Sequence, residues 1–434
     1  MILKPDYQTK PLEAWKAAKQ FRANHFQEIV TAREKGKLLG VGMIDFWHSI
    51  MGGIDGLLYY TPEAWVSSID INPELATRCI EAADARGYGR DFCGYIRLYY
   101  GAMFADINPF GGPFPTPDLA VTQAFCSISG KWYQPVAEHL GIPTFAIDRP
   151  LNLPWRPLKD SIVDYQASQF HQLIEWLEKV TGREFDDEKF IEGTYNMCRT
   201  QVLWAEICQL NQAVPAPLDL KTMYGLWFPT IVDSANPEAV SFYTALKDEV
   251  QYRVDNQIAA LATERCRLLH DAQPPWHFLR FFRHIQSYGA VFIGSVHIFN
   301  MGGAFNRDEN GTLTPKKDPR AEGITFKNRD EVVRFLAEWD LTNVLYETWD
   351  VQNKIDTTIG VTRDWHADGV IFHHDRACQG LAFGQTEVKA AVQKRLGVPC
   401  MSYESSNVDP RDFAESHVID SLESYLEGLG LSRL

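Results

Sequence analysis

Apolar and polar positions along the chain change their period three times. Residues 11–36 repeat at helical spacing and predict an amphipathic opening helix. Beyond it, short apolar runs such as LLGVGMIDFW and DLAVTQAF alternate with helical stretches to about residue 150. That alternation predicts strands joined by helices, the pattern of a parallel α/β sheet. From Asp160 to about Arg283 the spacing is helical, in DYQASQFHQLIEWLEKV, TYNMCRTQVLWAEICQLNQA and EVQYRVDNQIAALATERCRLLHDA. Strand-like runs return in YGAVFIGSVHIF, TNVLYETW, DGVIFHHD and PCMSYES. The organisation expected is therefore an N-terminal helical segment (1–36), a first α/β domain (37–159), a helical middle section (160–283) and a second α/β domain (284–434).

Two segments repeat one order of parts. PDLAVTQAFCSISGKWYQPVAEHLGIPTFAID runs from Asp118 through Cys126 to Gly141, Pro143 and Asp148, and ADGVIFHHDRACQGLAFGQTEVKAAVQKRLGVPCMSYES runs from Asp368 through Cys378 to Gly397, Pro399 and Glu404. In each, an Asp-led apolar strand ends at a cysteine, a helix follows, Gly stops it and Pro opens the next strand. Gly supplies a left-handed cap and Pro cannot continue the helix, so the helix-to-strand turn has a physical basis in both copies. An acid then stands five residues after the proline in both. Cys126 and Cys378 are expected at equivalent places, the carboxyl ends of parallel strands, where α/β sheets form ligand crevices.

Composition narrows the function. With 434 residues and 45% hydrophobic content the chain can fill more than one core, and its 42 basic against 56 acidic side chains argue against a nucleic-acid partner. No run approaches the roughly 18 apolar residues of a membrane span, and no cleavable leader is legible, so the expected location is the cytoplasm. Eight cysteines without dense spacing or any CxxC do not resemble a disulfide framework, a zinc ribbon or a thioredoxin site.

Cys93, in GYGRDFCGYIRLYYGAM, falls between a glycine-rich loop and a helix-like run, where helix-terminal amides favour a thiolate. Three thiolates from separate loops, Cys93, Cys126 and Cys378, can hold an iron-sulfur cluster, which tolerates wide ligand spacing. A lone cysteine is more often a small buried hydrophobe, and the residues alone leave both readings open. Cys79, Cys198, Cys208, Cys266 and Cys400 lie inside apolar patterns and read as core.

The stretches that carry these cysteines, CGYIRLYYG, VTQAFC with GIPTFAID, FFRHIQSYGAVFIGS, and Cys378 with LGVPCMSYES, resemble the 2-hydroxyacyl-CoA dehydratase and benzoyl-CoA reductase subunit family. The resemblance covers most of the chain and by overall likeness leans to the ATP-dependent (class I) benzoyl-CoA reductases. It implies two Rossmann-like or flavodoxin-like parallel-sheet domains facing a cluster-binding cleft, with additional helical segments. It further implies a 4Fe–4S cluster held by Cys93, Cys126 and Cys378 with one iron open, a homologous cluster-bearing partner subunit, two ATPase subunits that activate electrons from ferredoxin, and benzoyl-CoA as substrate.

Nucleotide motifs agree with ATP being used elsewhere. SISGKWY has only the Gly-Lys pair of a phosphate-binding loop, and GVGMIDFW lacks the third glycine of a dinucleotide fingerprint, so no ATP, NAD or flavin site is expected in this chain. His373, His374 and Glu404 are the candidate proton-handling residues, because they sit at the same strand ends as Cys378. Asp375, Asp148 and His48 belong to the same set. A packed or capping role is the alternative for each. Two other functions stay open: a dehydratase subunit with the same fold and cysteines, and a noncatalytic scaffold in which Cys378, His373 and His374 hold zinc.

Overall fold

The computed structural model describes residues 7–42, 44, 47–124, 126–150, 158–343 and 349–434. Strands β1 (Leu38–Gly42), β2 (Leu57–Tyr60), β3 (Leu119–Gln123) and β4 (Thr144–Ile147) form a first sheet in the order β2-β1-β3-β4, every pair parallel. A second sheet follows from β5 (Cys266–Asp271) and β6 (Ala290–Gly294). After a short antiparallel hairpin, β7 (Phe305–Arg307) with β8 (Leu313–Pro315), it is completed by β9 (Gly369–His374) and β10 (Cys400–Glu404). Its order is β10-β9-β5-β6, again all parallel. Counted within each sheet, both run second-first-third-fourth, so both reverse direction between their first and third strands. That reversal opens a crevice above the carboxyl ends of the strands.

The internal repeat is carried by hydrogen bonds as well as by topology. The Asp118 carboxylate accepts the Leu39 N–H of β1 at 2.8 Å, and the Asp368 carboxylate accepts the Arg267 N–H of β5 at 2.8 Å. Each Asp also donates its own N–H to the carbonyl of that same residue, at 2.7 Å in both sheets. The leading acid thus ties the third strand to the first. Gly141 and Gly397 close the following helices with φ of 70° and 68°, a left-handed conformation that other residues adopt only with strain.

The central strands β3 and β5 and the edge strand β6 are buried throughout, as expected for parallel strands covered on both faces. The opening helix spans Trp15–Thr31, and five helices from Asp160–Thr181 to Pro237–Asp255 fill the middle of the chain. The longest, Asp187–Leu210, is capped by the Asp186 carboxylate on the Lys189 N–H and packs against helices His48–Gly52, Pro237–Asp255 and Arg329–Leu341. One expected helix stops early, at Asp255. CRLLHD, the end of the helical reading to Arg283, is β5, a central strand of the second sheet, which therefore begins at Cys266. Arg267 explains the misreading, because its charge breaks a strand pattern but is buried and satisfied by Glu264 at 2.7 Å and by the carbonyls of Asn211, Ala213 and Trp365. Of TNVLYETW, residues 344–348 lie outside the described residues. No helix among the described residues is long and apolar enough to cross a membrane.

Candidate functional site

Cys93, Cys126 and Cys378 line one cavity of about 330 Å³ with a mainly apolar wall that includes Ile44, Phe92, Ile128 and Trp349. Residues from both halves of the chain enclose it. Cys93 caps helix Gly94–Phe104, Cys126 follows β3, and Cys378 follows β9 and caps the short helix Gln379–Ala382. Backbone N–H groups three residues on, of Ile96, Ser129 and Leu381 respectively, favour each thiolate. The Ser129 N–H lies 3.4 Å from the Cys126 Sγ. Three separate turns therefore present sulfur to one cavity.

Gly94 lets the first of these turns reach the second domain. A Cβ there would stand 2.6 Å from the Asn407 side-chain oxygen and 2.7 Å from Val408. The loop it meets is pinned by Asp375, whose carboxylate accepts N–H groups from Asn407 at 3.1 Å and Ala377 at 2.9 Å. Asp375 thus braces the turn into Cys378.

Burial dominates the electrostatics. It pushes the Cys378 thiol up to about 12, with the Asp375 carboxylate adding to the shift. It also raises Cys93, where Cys378 is the next cause, and Cys126, where the Ser129 bonds oppose it. The helix-terminal amides expected to favour the Cys93 thiolate are present, but desolvation outweighs them. Three thiolates can share this space only if a cationic centre sits among them. The three cysteines could hold such a centre.

The candidate proton-handling residues are placed elsewhere. His373 is enclosed behind the strand: its Nδ1 donates to the Gln273 carbonyl at 2.5 Å, its Nε2 meets the Ser405 hydroxyl at 2.9 Å, and its ring stacks on Tyr403. His374 donates from Nδ1 to the Gln385 side-chain oxygen at 3.1 Å. The Glu404 side chain is 52% exposed and pairs with Arg376 at 2.7 Å. Asp148 accepts from the Tyr165 hydroxyl, and His48 bonds the Ser234 hydroxyl while lining a different cavity. None of these five lines the cysteine cavity. His373 and His374 do not join Cys378 as zinc ligands, and among the described residues no three His, Cys, Asp or Glu side chains are grouped to hold a single ion.

Two residues that the pattern reading passed over line the cavity instead, Glu63 and His297. Each stands three residues past the second strand of its sheet, β2 or β6, so they too are equivalent under the repeat. Burial raises the Glu63 carboxyl to about 7, and its Oε2 has no partner among the described residues. Burial lowers His297 to about 3, and neither ring nitrogen has a partner among the described residues. One signal was available for Glu63: Thr61 and Pro62 after LLYY mark a helix start at a strand end, and the Thr61 hydroxyl does cap that helix. The Tyr95 hydroxyl, also on the wall, accepts from the Trp276 indole N–H.

The chain is similar to known proteins along most of its length. The chain is 24% identical over 388 residues to the alpha subunit of lactoyl-CoA dehydratase of Anaerotignum propionicum, covering 86% of each chain. It is 23% identical over 414 residues to the (R)-phenyllactyl-CoA dehydratase alpha subunit of Clostridium sporogenes, covering 92% of this chain and 94% of the relative. It is 24% identical over 361 residues to a benzoyl-CoA reductase subunit of Thauera aromatica, covering 80% and 78%. Dehydratase and reductase subunits thus stand at the same distance, and the narrower leaning to benzoyl-CoA reductases is not separated from a dehydratase likeness. The family profile described as 2-hydroxyglutaryl-CoA dehydratase, D-component, matches residues 58–429, and the chain belongs to that family.

Proposed function

We propose that this chain is the iron-sulfur subunit of an enzyme that reduces an aromatic acyl-CoA thioester, of the ATP-dependent benzoyl-CoA reductase type. The observation that carries the reading is the meeting of Cys93, Cys126 and Cys378 on one apolar cavity with Glu63 and His297. Soft sulfur donors from three separate turns suit a 4Fe–4S cluster better than a single ion. When bound, that cluster supplies low-potential single electrons.

The chain's own residues do the rest. Ile44, Phe92, Ile128 and Trp349 take an aryl ring and keep water from it. At about 330 Å³ the cavity accepts the ring and thioester but leaves the coenzyme A nucleotide outside. Glu63, kept about half protonated near neutral pH by burial, donates a proton at its free Oε2 to the reduced ring. His297, neutral, offers a ring N–H to the thioester carbonyl oxygen. A homologous cluster-bearing subunit and ferredoxin-fed ATPase subunits complete the enzyme in this reading.

The anaerobically assembled complex should form a cyclic diene-carboxyl-CoA from benzoyl-CoA, using ATP and two electrons per product. A second reading, dehydration of a 2-hydroxyacyl-CoA, is favoured by the dehydratase alpha subunits among the relatives. Product formation without net electron consumption, with benzoyl-CoA untouched, would establish that reading and reject the first. For Glu63→Gln, kcat should fall by about a hundredfold or more, the usual contribution of a general acid. Its iron content should match that of the unaltered chain. An unchanged kcat removes Glu63 from the mechanism.

A further inference from the structure

Behind the Cys378 turn lies a buried cation that the proposed chemistry has not used. Lys354, on helix Val351–Asp364, is 7% exposed. Its Nζ donates to the carbonyls of Gly380 at 3.1 Å, Leu381 at 3.0 Å and Phe383 at 2.7 Å. All three N–H bonds of one ammonium therefore close on the turn that begins at Cys378. Leu381 joins the two ends of the device, since its backbone N–H favours the Cys378 thiolate while its carbonyl accepts from Lys354.

Burying an ammonium is expensive, and holding three carbonyls does not by itself require a charge. The charged groups that act on Lys354 are Asp271 and Cys378. Asp271 ends β5, is buried, and accepts from the Gln385 amide at 2.9 Å. That amide also donates to the His373 carbonyl at 2.9 Å, which ties the pair to β9. A thiolate site that gathers negative charge in an apolar cavity gains from a fixed positive charge just outside it. A carboxylate behind that charge limits the gain.

We infer that Lys354 is a positioning residue of the thiolate site: it locks the Cys378 turn and, with Asp271 as its counterweight, sets how readily the site accepts an electron. The inference rests on the cluster reading above. It predicts opposite effects for two substitutions that remove opposite charges, which a purely structural role would not produce. Charge near a cluster and hydrogen bonds to its sulfurs are known determinants of its potential.

The test is an anaerobic redox titration of the full-length chain, reconstituted with iron and sulfide and read by visible absorption, for the unaltered protein, Lys354→Gln and Asp271→Asn. Iron and sulfide are counted in each. Lys354→Gln, which keeps neutral donors toward the carbonyls, should lower the reduced-to-oxidised ratio at fixed potential about tenfold, or about 59 mV for a one-electron couple. Asp271→Asn should raise that ratio. Unchanged ratios in both, or shifts of the same sign, overturn the inference. If Lys354→Gln fails to fold, Asp271→Asn decides alone, and no rise in its ratio overturns it. An unaltered chain that holds no iron and sulfide would instead reject the cluster reading, and the inference with it.

Discussion

Cys93→Ala, Cys126→Ala and Cys378→Ala should each abolish stable iron and sulfide binding, while Cys266→Ala should retain both. The difference follows from position. The three site cysteines line one cavity, whereas Cys266 is buried at the start of β5. Removing one of three thiolates leaves two buried sulfurs that repel each other once ionised, with too few donors to hold a polynuclear centre. Iron and acid-labile sulfide, measured on anaerobically purified protein, check the result. Full iron content in all three variants would reject the ligand assignment.

The second large effect is expected at Arg97, one turn into the helix that Cys93 caps. Its guanidinium is buried and pairs with Asp84 at 2.6 Å and with Asp409 at 3.4 Å, while Arg411 bridges the same two carboxylates at 2.9 and 2.8 Å. The network fastens the Cys93 helix to the loop after β10. Arg97→Ala should cost about 1–3 kcal/mol, the cost of taking one partner from a buried polar network, since Arg411 still pairs with both carboxylates. Urea unfolding of the cluster-free chain measures it, and a loss below about 1 kcal/mol, the scale of an exposed pair, would contradict it. Burial pushes Asp409 up, but Arg411 and Arg97 outweigh it and hold the carboxyl below its ordinary value. A depressed folded pKa stabilises the protein above the unfolded value, about 3.9 for Asp. The Asp409 contribution is therefore present at neutral pH and lost as pH falls through its folded pKa.

The parts of the fold legible in the chain were those with local causes. DLAVTQAF and DGVIFHHD read as strands because buried parallel strands are apolar runs, and they became β3 and β9. The turns at Gly141 and Gly397 could be anticipated because only a residue at ease at positive φ ends a helix that way. The pairing of Asp118 with Asp368 across the repeat needed only the order of residues, and the hydrogen bonds to β1 and β5 supply its reason. β5 itself was missed because Arg267 finds its partners at Asn211, Ala213 and Trp365, residues far along the chain whose approach no short window contains.

The site divides in the same way. Placement at strand ends was enough to single out Cys126 and Cys378, since parallel α/β sheets gather such positions above one edge, and Cys93 was singled out by its place just before a helix start. Placement was not enough for His373, His374 and Glu404, which share that edge in sequence but turn into the sheet, toward Gln385, or toward Arg376. Nor could it nominate Glu63, His297 or Lys354, whose chemistry comes from desolvation. A carboxyl, an imidazole and an ammonium are ordinary surface groups until packing removes water from them. The order of residues thus determined the repeated strands, their turns and the cysteines at their ends, because these follow from backbone geometry within a few positions. Which side chains face the cavity, and with what proton affinity, was decided only when distant segments closed around them, because burial and electrostatic coupling belong to the packed whole.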